Sequence, residues 1–208
     1  VAVVKEGRTV TLNIKTFLSY ILSTNTGEVL TVFIGTLLAS FIGVEEAVFS
    51  AGLLLWLNLV TDGFPAVALG VDRRSAPKPT SAFVDVNTLK NMSIVGILIA
   101  TLTLELYSVI GVTPSFMSLV FMELAAIPYI RGPSTISNPW LGWSVAGTVF
   151  FQFVIVLSPL RTIFYLEPLS LLSLPWISMT VRLFVVLLYA EKFAESFYVD
   201  EPKPLVEP

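Results

Sequence analysis

The chain has 208 residues, of which 55% are hydrophobic and only 13% charged, with a net charge of −3 and a mean hydropathy of +0.84. A soluble domain carries about 25% charged residues, so this composition points to a bilayer. With no Cys and no His, disulfides, thiolate or imidazole metal sites, Cys or His nucleophiles and imidazole proton relays are excluded within these residues.

Val1–Val10 is mixed, carrying Lys5, Glu6 and Arg8, and lacks the pattern of a secretory leader. It reads as the continuation of something longer. Six apolar segments follow, each near the roughly 20 residues that a bilayer demands. They run over Phe17–Ser40, Ala47–Gly70, Asn91–Gly111, Ser115–Ile130, Leu141–Leu157 and Pro175–Phe193. The expected fold is all-α, a polytopic membrane bundle of six transmembrane helices. Residues 17–193 form the transmembrane domain, 1–16 a stalk leading into it, and 194–208 a cytoplasmic tail. The Pro and acidic residues of that tail predict disorder.

An even number of spans puts both termini on one side. The positive-inside rule makes that side cytoplasmic, because 12 basic residues then all face inward except Arg161 and Arg182. The connections agree. Glu45 and Glu46 sit in a short outer turn over Phe41–Glu46, and Arg73, Arg74 and Lys78 in a basic inner connection over Val71–Val86. Ser158–Leu174 is an apolar outer loop suited to the interface. The lipid bilayer is the expected surround, and nothing in the sequence calls for nucleic acid.

Four carboxylates fall inside the predicted spans: Glu28, Asp62, Glu105 and Glu123. Ionisable residues at that depth are costly and mark ion or substrate pathways. Asn25 and Glu28 share a helix face at i, i+3, and Asn58, Thr61 and Asp62 share another at i, i+3, i+4. The short turn makes these two spans antiparallel neighbours, so the faces meet near mid-membrane, with Glu123 as a possible third carboxylate. Gly63-Phe64-Pro65 follows at once. Pro65 cannot donate to the Thr61 carbonyl, so the second helix is expected to unwind near Asp62–Pro65 and free a carbonyl beside the carboxylate. Every candidate ligand is a hard oxygen, the set that Ca²⁺ takes and that Cu(I) or Zn²⁺ would not choose. Single polar residues also glue spanning helices together, a reading open for Asn25 or Thr61 alone. Glu105 and Arg182 lie at similar depth and are expected to pair, unless each reaches the interface separately.

Ser23-Thr24-Asn25-Thr26-Gly27-Glu28, followed by Leu55-Trp56-Leu57-Asn58-Leu59-Val60-Thr61-Asp62-Gly63-Phe64-Pro65-Ala66, resembles the fifth and sixth transmembrane helices of P-type ATPases. The likeness is greatest to the Ca²⁺ pumps of the sarcoplasmic/endoplasmic reticulum type and their prokaryotic relatives. Val4-Lys5-Glu6-Gly7-Arg8 and Asn13-Ile14-Lys15 resemble the stalk of that family, and the other four spans fit helices seven to ten by count and order. The resemblance implies that Asn25, Glu28, Thr61 and Asp62 are ligands of a first Ca²⁺ site, and that Asn58 serves a second with Asp62 bridging both. Glu123 falls where the eighth helix offers its carboxylate. It implies no catalytic and no cofactor-binding residue in these 208 residues, since the Asp-Lys-Thr-Gly-Thr string that is phosphorylated in the family does not occur. ATP and Mg²⁺ would act only through the phosphorylation, nucleotide and actuator domains. Those domains and the first four helices, the fourth of which supplies a Glu and backbone carbonyls to the second site, would be the partner, and the chain a fragment unable to hydrolyse ATP. A pump for Mn²⁺, Mg²⁺ or Na⁺ in the same family, or a standalone channel or accessory subunit, are the alternatives.

Overall fold

A computed structural model describes residues 2–41, 48–72, 84–132 and 138–199. Among them there is no strand, and six helical segments are long and apolar enough to cross a membrane. They are α1 (Ala2–Phe41), a composite second span, α4 (Val86–Ile110), α5 (Val112–Arg131), α6 (Pro139–Leu157) and α7 (Leu174–Val199). The second span consists of α2 (Ala51–Trp56), a π-helical turn over Leu57–Thr61, and α3 (Gly63–Gly70). Glu45, Glu46, Arg73, Arg74, Lys78 and residues 200–208 lie outside the described residues. The first part of the expected tail continues α7 as helix to Val199.

No proline interrupts α1, so the expected stalk and first span form one 40-residue rod. At 1.5 Å per residue it is about 60 Å long, twice the thickness of a hydrocarbon core. Other ends are set by capping. Asp85 accepts the Thr88 amide at 2.9 Å to start α4, and Asn138 accepts the Leu141 amide at 3.2 Å to start α6, with Pro139 at the first helical position. Gly111, at φ 86°, is the only residue between α4 and α5; a side chain there would strain the turn. The loop after α6 holds two 3₁₀ turns, Pro159–Thr162 and Leu171–Ser173. Large apolar side chains such as Val29, Phe33, Leu55, Leu59, Phe150 and Val186 face outward, as lipid contact requires. Trp140 and Trp143 near the start of α6 are exposed, the placement of an interfacial aromatic belt.

Polar side chains lace the spans together at the basic end. Asn13 on α1 donates to the carbonyls of Gly70 and Asp72, 3.3 and 2.5 Å away, and Asn138 donates to that of Ala68 at 2.9 Å. Asp72 pairs with Arg131 at 2.7 Å, both side chains almost wholly buried. Lys15 pairs with Asp85, and Lys90 with Glu191, which also accepts the Tyr129 hydroxyl at 2.8 Å. Lys15 and the Thr88 amide hold the Asp85 carboxyl down at about 2, from an ordinary 3.8. A carboxyl depressed in this way stabilises the fold above its ordinary value and loses that contribution progressively as pH falls from 3.8 through about 2. Glu105 and Arg182 behave differently: both are exposed, and neither pairs with the other. They sit on the outer surface of α4 and α7, so the second reading, separate access to the interface, is the one the structure supports.

The tightest crossing is between α1 and α4. A Cβ on Gly96 would come within 2.7 Å of the Thr26 Cγ2 and 3.2 Å of the Gly27 amide nitrogen, and one on Gly27 within 2.7 Å of the Ile99 Cγ2. Small residues let two membrane helices approach this closely. The crossing fixes the rotation of α1 immediately beside Glu28.

Two outcomes follow for stability. Gly96→Val forces α1 away from α4, because the nearby backbone nitrogen cannot move aside as a side chain can. It should lower the unfolding free energy of the chain in detergent micelles by about 2 kcal/mol or more. Arg131→Ala leaves the buried Asp72 carboxylate without its guanidinium and should cost on the order of 3 kcal/mol. The double variant Asp72→Leu/Arg131→Met should recover most of that loss, and a double-mutant cycle in denaturant melts reads the difference.

Candidate cation site

The second span departs from α geometry beside its acidic residue. The Leu57 carbonyl accepts the Asp62 amide at 2.9 Å, an i+5 bond, together with the Thr61 hydroxyl at 2.7 Å. The Ala66 amide then returns to the i−4 pattern on the Asp62 carbonyl at 3.0 Å. The break expected over Asp62–Pro65 is therefore a widened turn over Leu57–Thr61, and Pro65 lies within the first turn of α3. Backbone bonds shift register instead of opening. Every amide must be satisfied away from water, and a π turn admits one extra residue while keeping its hydrogen bonds. The Thr61 carbonyl is still left without an i+4 amide, since position 65 is proline and Ala66 is engaged by Asp62.

This geometry gathers three spans around one point. Carboxylate oxygens of Glu28 on α1, Asp62 on the second span and Glu123 on α5 all lie within 4.8 Å of one another. The three residues are 3%, 1% and 1% exposed. Among the described residues no Lys or Arg pairs with any of them. Asn58 donates its amide to Glu28 Oε2 at 2.9 Å and to the Leu54 carbonyl at 3.0 Å. Glu28 Oε1, both oxygens of Glu123 and Asn25 Oδ1 are buried and receive no donor among the described residues. Thr61 is buried in the same turn, its hydroxyl proton directed to Leu57, which leaves its oxygen free to accept or ligate.

Of the six expected residues, Glu28, Asp62 and Glu123 converge, Asn58 touches Glu28, and Thr61 adjoins Asp62. Asn25 lies one turn before Glu28, with its oxygen unsatisfied. Two further groups were missed. Thr24 donates its hydroxyl to Asp62 Oδ2 at 2.7 Å, and Tyr20 donates to Oδ1 at 3.3 Å. Residues 20, 24 and 28 follow one another at i, i+4, i+8, so extending the Glu28 face backward by two turns would have found both. On the opposite side the cluster is open. A groove of about 430 Å³ runs between α1 and α2, lined by Glu28, Val29, Val32, Phe33, Leu54 and Asn58.

A hard cation with several oxygen ligands fits this donor set, and a soft one does not. The family model described as the C-terminus of cation-transporting ATPases matches residues 46–194. That stretch includes Asn58, Thr61, Asp62 and Glu123, while Asn25 and Glu28 precede it. Six membrane-length helices, a buried oxygen cluster shared by three of them and a match over most of the chain converge, and the chain belongs to the C-terminal membrane region of the P-type cation-transporting ATPases.

Proposed function

We propose that these residues carry the cation-binding part of a Ca²⁺-transporting P-type pump, with Glu28, Asp62 and Glu123 as charged ligands and Asn25, Asn58 and Thr61 as neutral ones. The observation that carries the reading is the convergence of three buried carboxylates from three spans. Three like charges in a low-dielectric layer repel strongly unless a cation sits among them or protons replace it. The Thr61 carbonyl, which has no amide four residues on, and the unsatisfied oxygens of Glu123 and Asn25 add donors near the carboxylates. Asn58 spends its amide on Glu28, so it would turn that side chain over to offer oxygen to an ion. The groove between α1 and α2 supports a ligand set completed from outside these residues, by the remaining helices of the pump. ATP and Mg²⁺ act through its phosphorylation and nucleotide domains. In that arrangement α1 transmits displacement of the phosphorylation domain to Glu28 directly. Through Asn13 and the end of the second span it reaches Asp62 as well. The laced, basic end of the bundle, with Lys15, Lys90, Arg131 and Lys192, is the cytoplasmic one, and both termini lie there. Mn²⁺, Mg²⁺ or Na⁺ would use the same oxygens.

In the full-length ATPase that carries these residues, Ca²⁺-dependent phosphorylation by ATP should be lost in Glu28→Gln and in Asp62→Asn. Phosphorylation that keeps its Ca²⁺ dependence in both variants would overturn the assignment. Repeating the titration with Mn²⁺, Mg²⁺ and Na⁺ ranks the ions.

A second outcome is read on the chain alone in lipid nanodiscs. A saturating divalent cation should raise its unfolding free energy, by about 2.7 kcal/mol at a hundred times the dissociation constant. Glu123→Gln should abolish that increase and, by removing one of three mutually repelling charges, raise stability in chelator by about 1 kcal/mol. A Glu123 that only braces the fold gives the opposite sign in chelator.

A further inference from the structure

Two apolar clusters make up the core; on α1, the second span and α6 the smaller holds the residues nearer the laced end and the larger those nearer the other end, while on α5 the larger also reaches Tyr129. On α1 the laced-end cluster holds Tyr20, the outer cluster is contacted by Val32, and Glu28 lies between them. On the second span Ala66 belongs to one and Leu57 to the other, with Thr61 and Asp62 between. On α6 the corresponding residues are Leu141 and Ile155, and the buried residues between them are Thr148 and Gln152. The helix α6 packs along the second span, with Asn138 bonded to Ala68 at one end and the Phe151 ring stacked on Phe64 at 5.9 Å. Thr148 and Gln152 therefore occupy the same polar layer as the carboxylates.

Both are 0% exposed, and one turn apart they share a face. The Thr148 hydroxyl oxygen and both polar atoms of the Gln152 amide have no partner among the described residues. Leaving such groups unsatisfied in a dry interior costs about 1–3 kcal/mol each, and a buried water that makes two to four hydrogen bonds removes that cost. A divalent ion is the wrong ligand for this position, because α6 contributes no carboxylate to it.

We infer that Thr148 and Gln152 form a water-binding site on α6, an annex to the carboxylate cluster in the same layer. The amide donates to one water and accepts from another, and the Thr148 hydroxyl supplies the next partner. Its role rests on the cation-pump reading: a hard cation sheds water as it takes oxygen ligands, and the annex holds water beside the site through that exchange.

Gln152 is the only glutamine in the chain, so in a sample carrying side-chain ¹⁵N on glutamine and asparagine its amide, identified from a glutamine-only sample, can be read beside those of the asparagines. The experiment is water-edited solid-state NMR of the chain in lipid bilayers, without ATP or divalent cation. Magnetisation transfer from water to the Gln152 amide should build up as fast as to exposed asparagine amides, and Thr148→Val should slow it several-fold. A wild-type amide that stays dry at mixing times at which exposed amides are fully built up overturns the proposal, and so does a rate unchanged by Thr148→Val. Because the signal is read without cation, a failed pump assignment leaves it standing. A dry Gln152 in turn leaves the carboxylate site untouched.

Discussion

The mutual approach of Glu28, Asp62 and Glu123 is the constraint that organises the rest of the molecule. Three carboxylates within 4.8 Å, almost wholly buried and without a basic partner among the described residues, drive their helices apart unless something fastens them. The fastening is placed away from the site. Close backbone contact at Gly27 and Gly96 holds α1 on α4. The Asp72–Arg131 pair ties the end of the second span to α5, and Asn13 and Asn138 tie it to α1 and α6. Among the described residues the ion pairs lie at one end of the bundle, so the helices that carry the carboxylates are tied several turns away from them.

The same separation explains the second span. A regular α-helix would give a ligand face with fixed spacing and no free backbone oxygen. One widened turn ahead of Asp62 rotates everything that follows relative to Leu57 and Asn58, while the Leu57 carbonyl accepts both the Asp62 amide and the Thr61 hydroxyl. Pro65 then ensures that the Thr61 carbonyl has no amide four residues on. Distortion is concentrated in five residues, and the helix on either side stays intact enough to be anchored by Ser50 at one end and Asn138 at the other.

The spans were legible because a membrane imposes length and apolarity so strongly that six segments stand out. The carboxylate cluster was legible because carboxylates at bilayer depth are rare, and i, i+3, i+4 spacing puts their neighbours on one face. What escaped the sequence depends on rotation and on partners far along the chain. Arg131 reads as one more inward-facing cation, yet it is buried against Asp72, 59 residues away. Glu105 and Arg182 share a depth but point outward from different helices; depth alone does not fix azimuth. Thr24 was hidden because a Ser or Thr hydroxyl in an apolar helix commonly bonds its own backbone, as Thr16, Ser23 and Thr31 do here, and Tyr20 because an aromatic residue in a span reads as core or interface. The unwinding expected near Asp62–Pro65 became a π turn over Leu57–Thr61 because a helix in a membrane cannot leave several amides open at once.

Polarity along the bundle axis falls into three zones, and their order bears on how a site of this kind can change its accessibility. The laced end is rigid in the sense that moving one span pulls charged or amide side chains on two others. Among the described residues the opposite end is held by Thr113 on the Glu167 carbonyl and Ser50 on that of Phe164. Between them the polar layer has one closed wall, where Asp62 accepts bonds from Tyr20 and Thr24, and one open wall at the groove by Glu28 and Asn58. A displacement of α1 from its laced end therefore moves Glu28, Tyr20 and Thr24 together. It changes the separation of Glu28 from Glu123 while the hydroxyls on Asp62 travel with it. Under the proposed reading, Asn25 and Glu28 on one rod and Glu123 on a helix tied elsewhere would form an arrangement in which a small tilt alters ion affinity without breaking a backbone hydrogen bond.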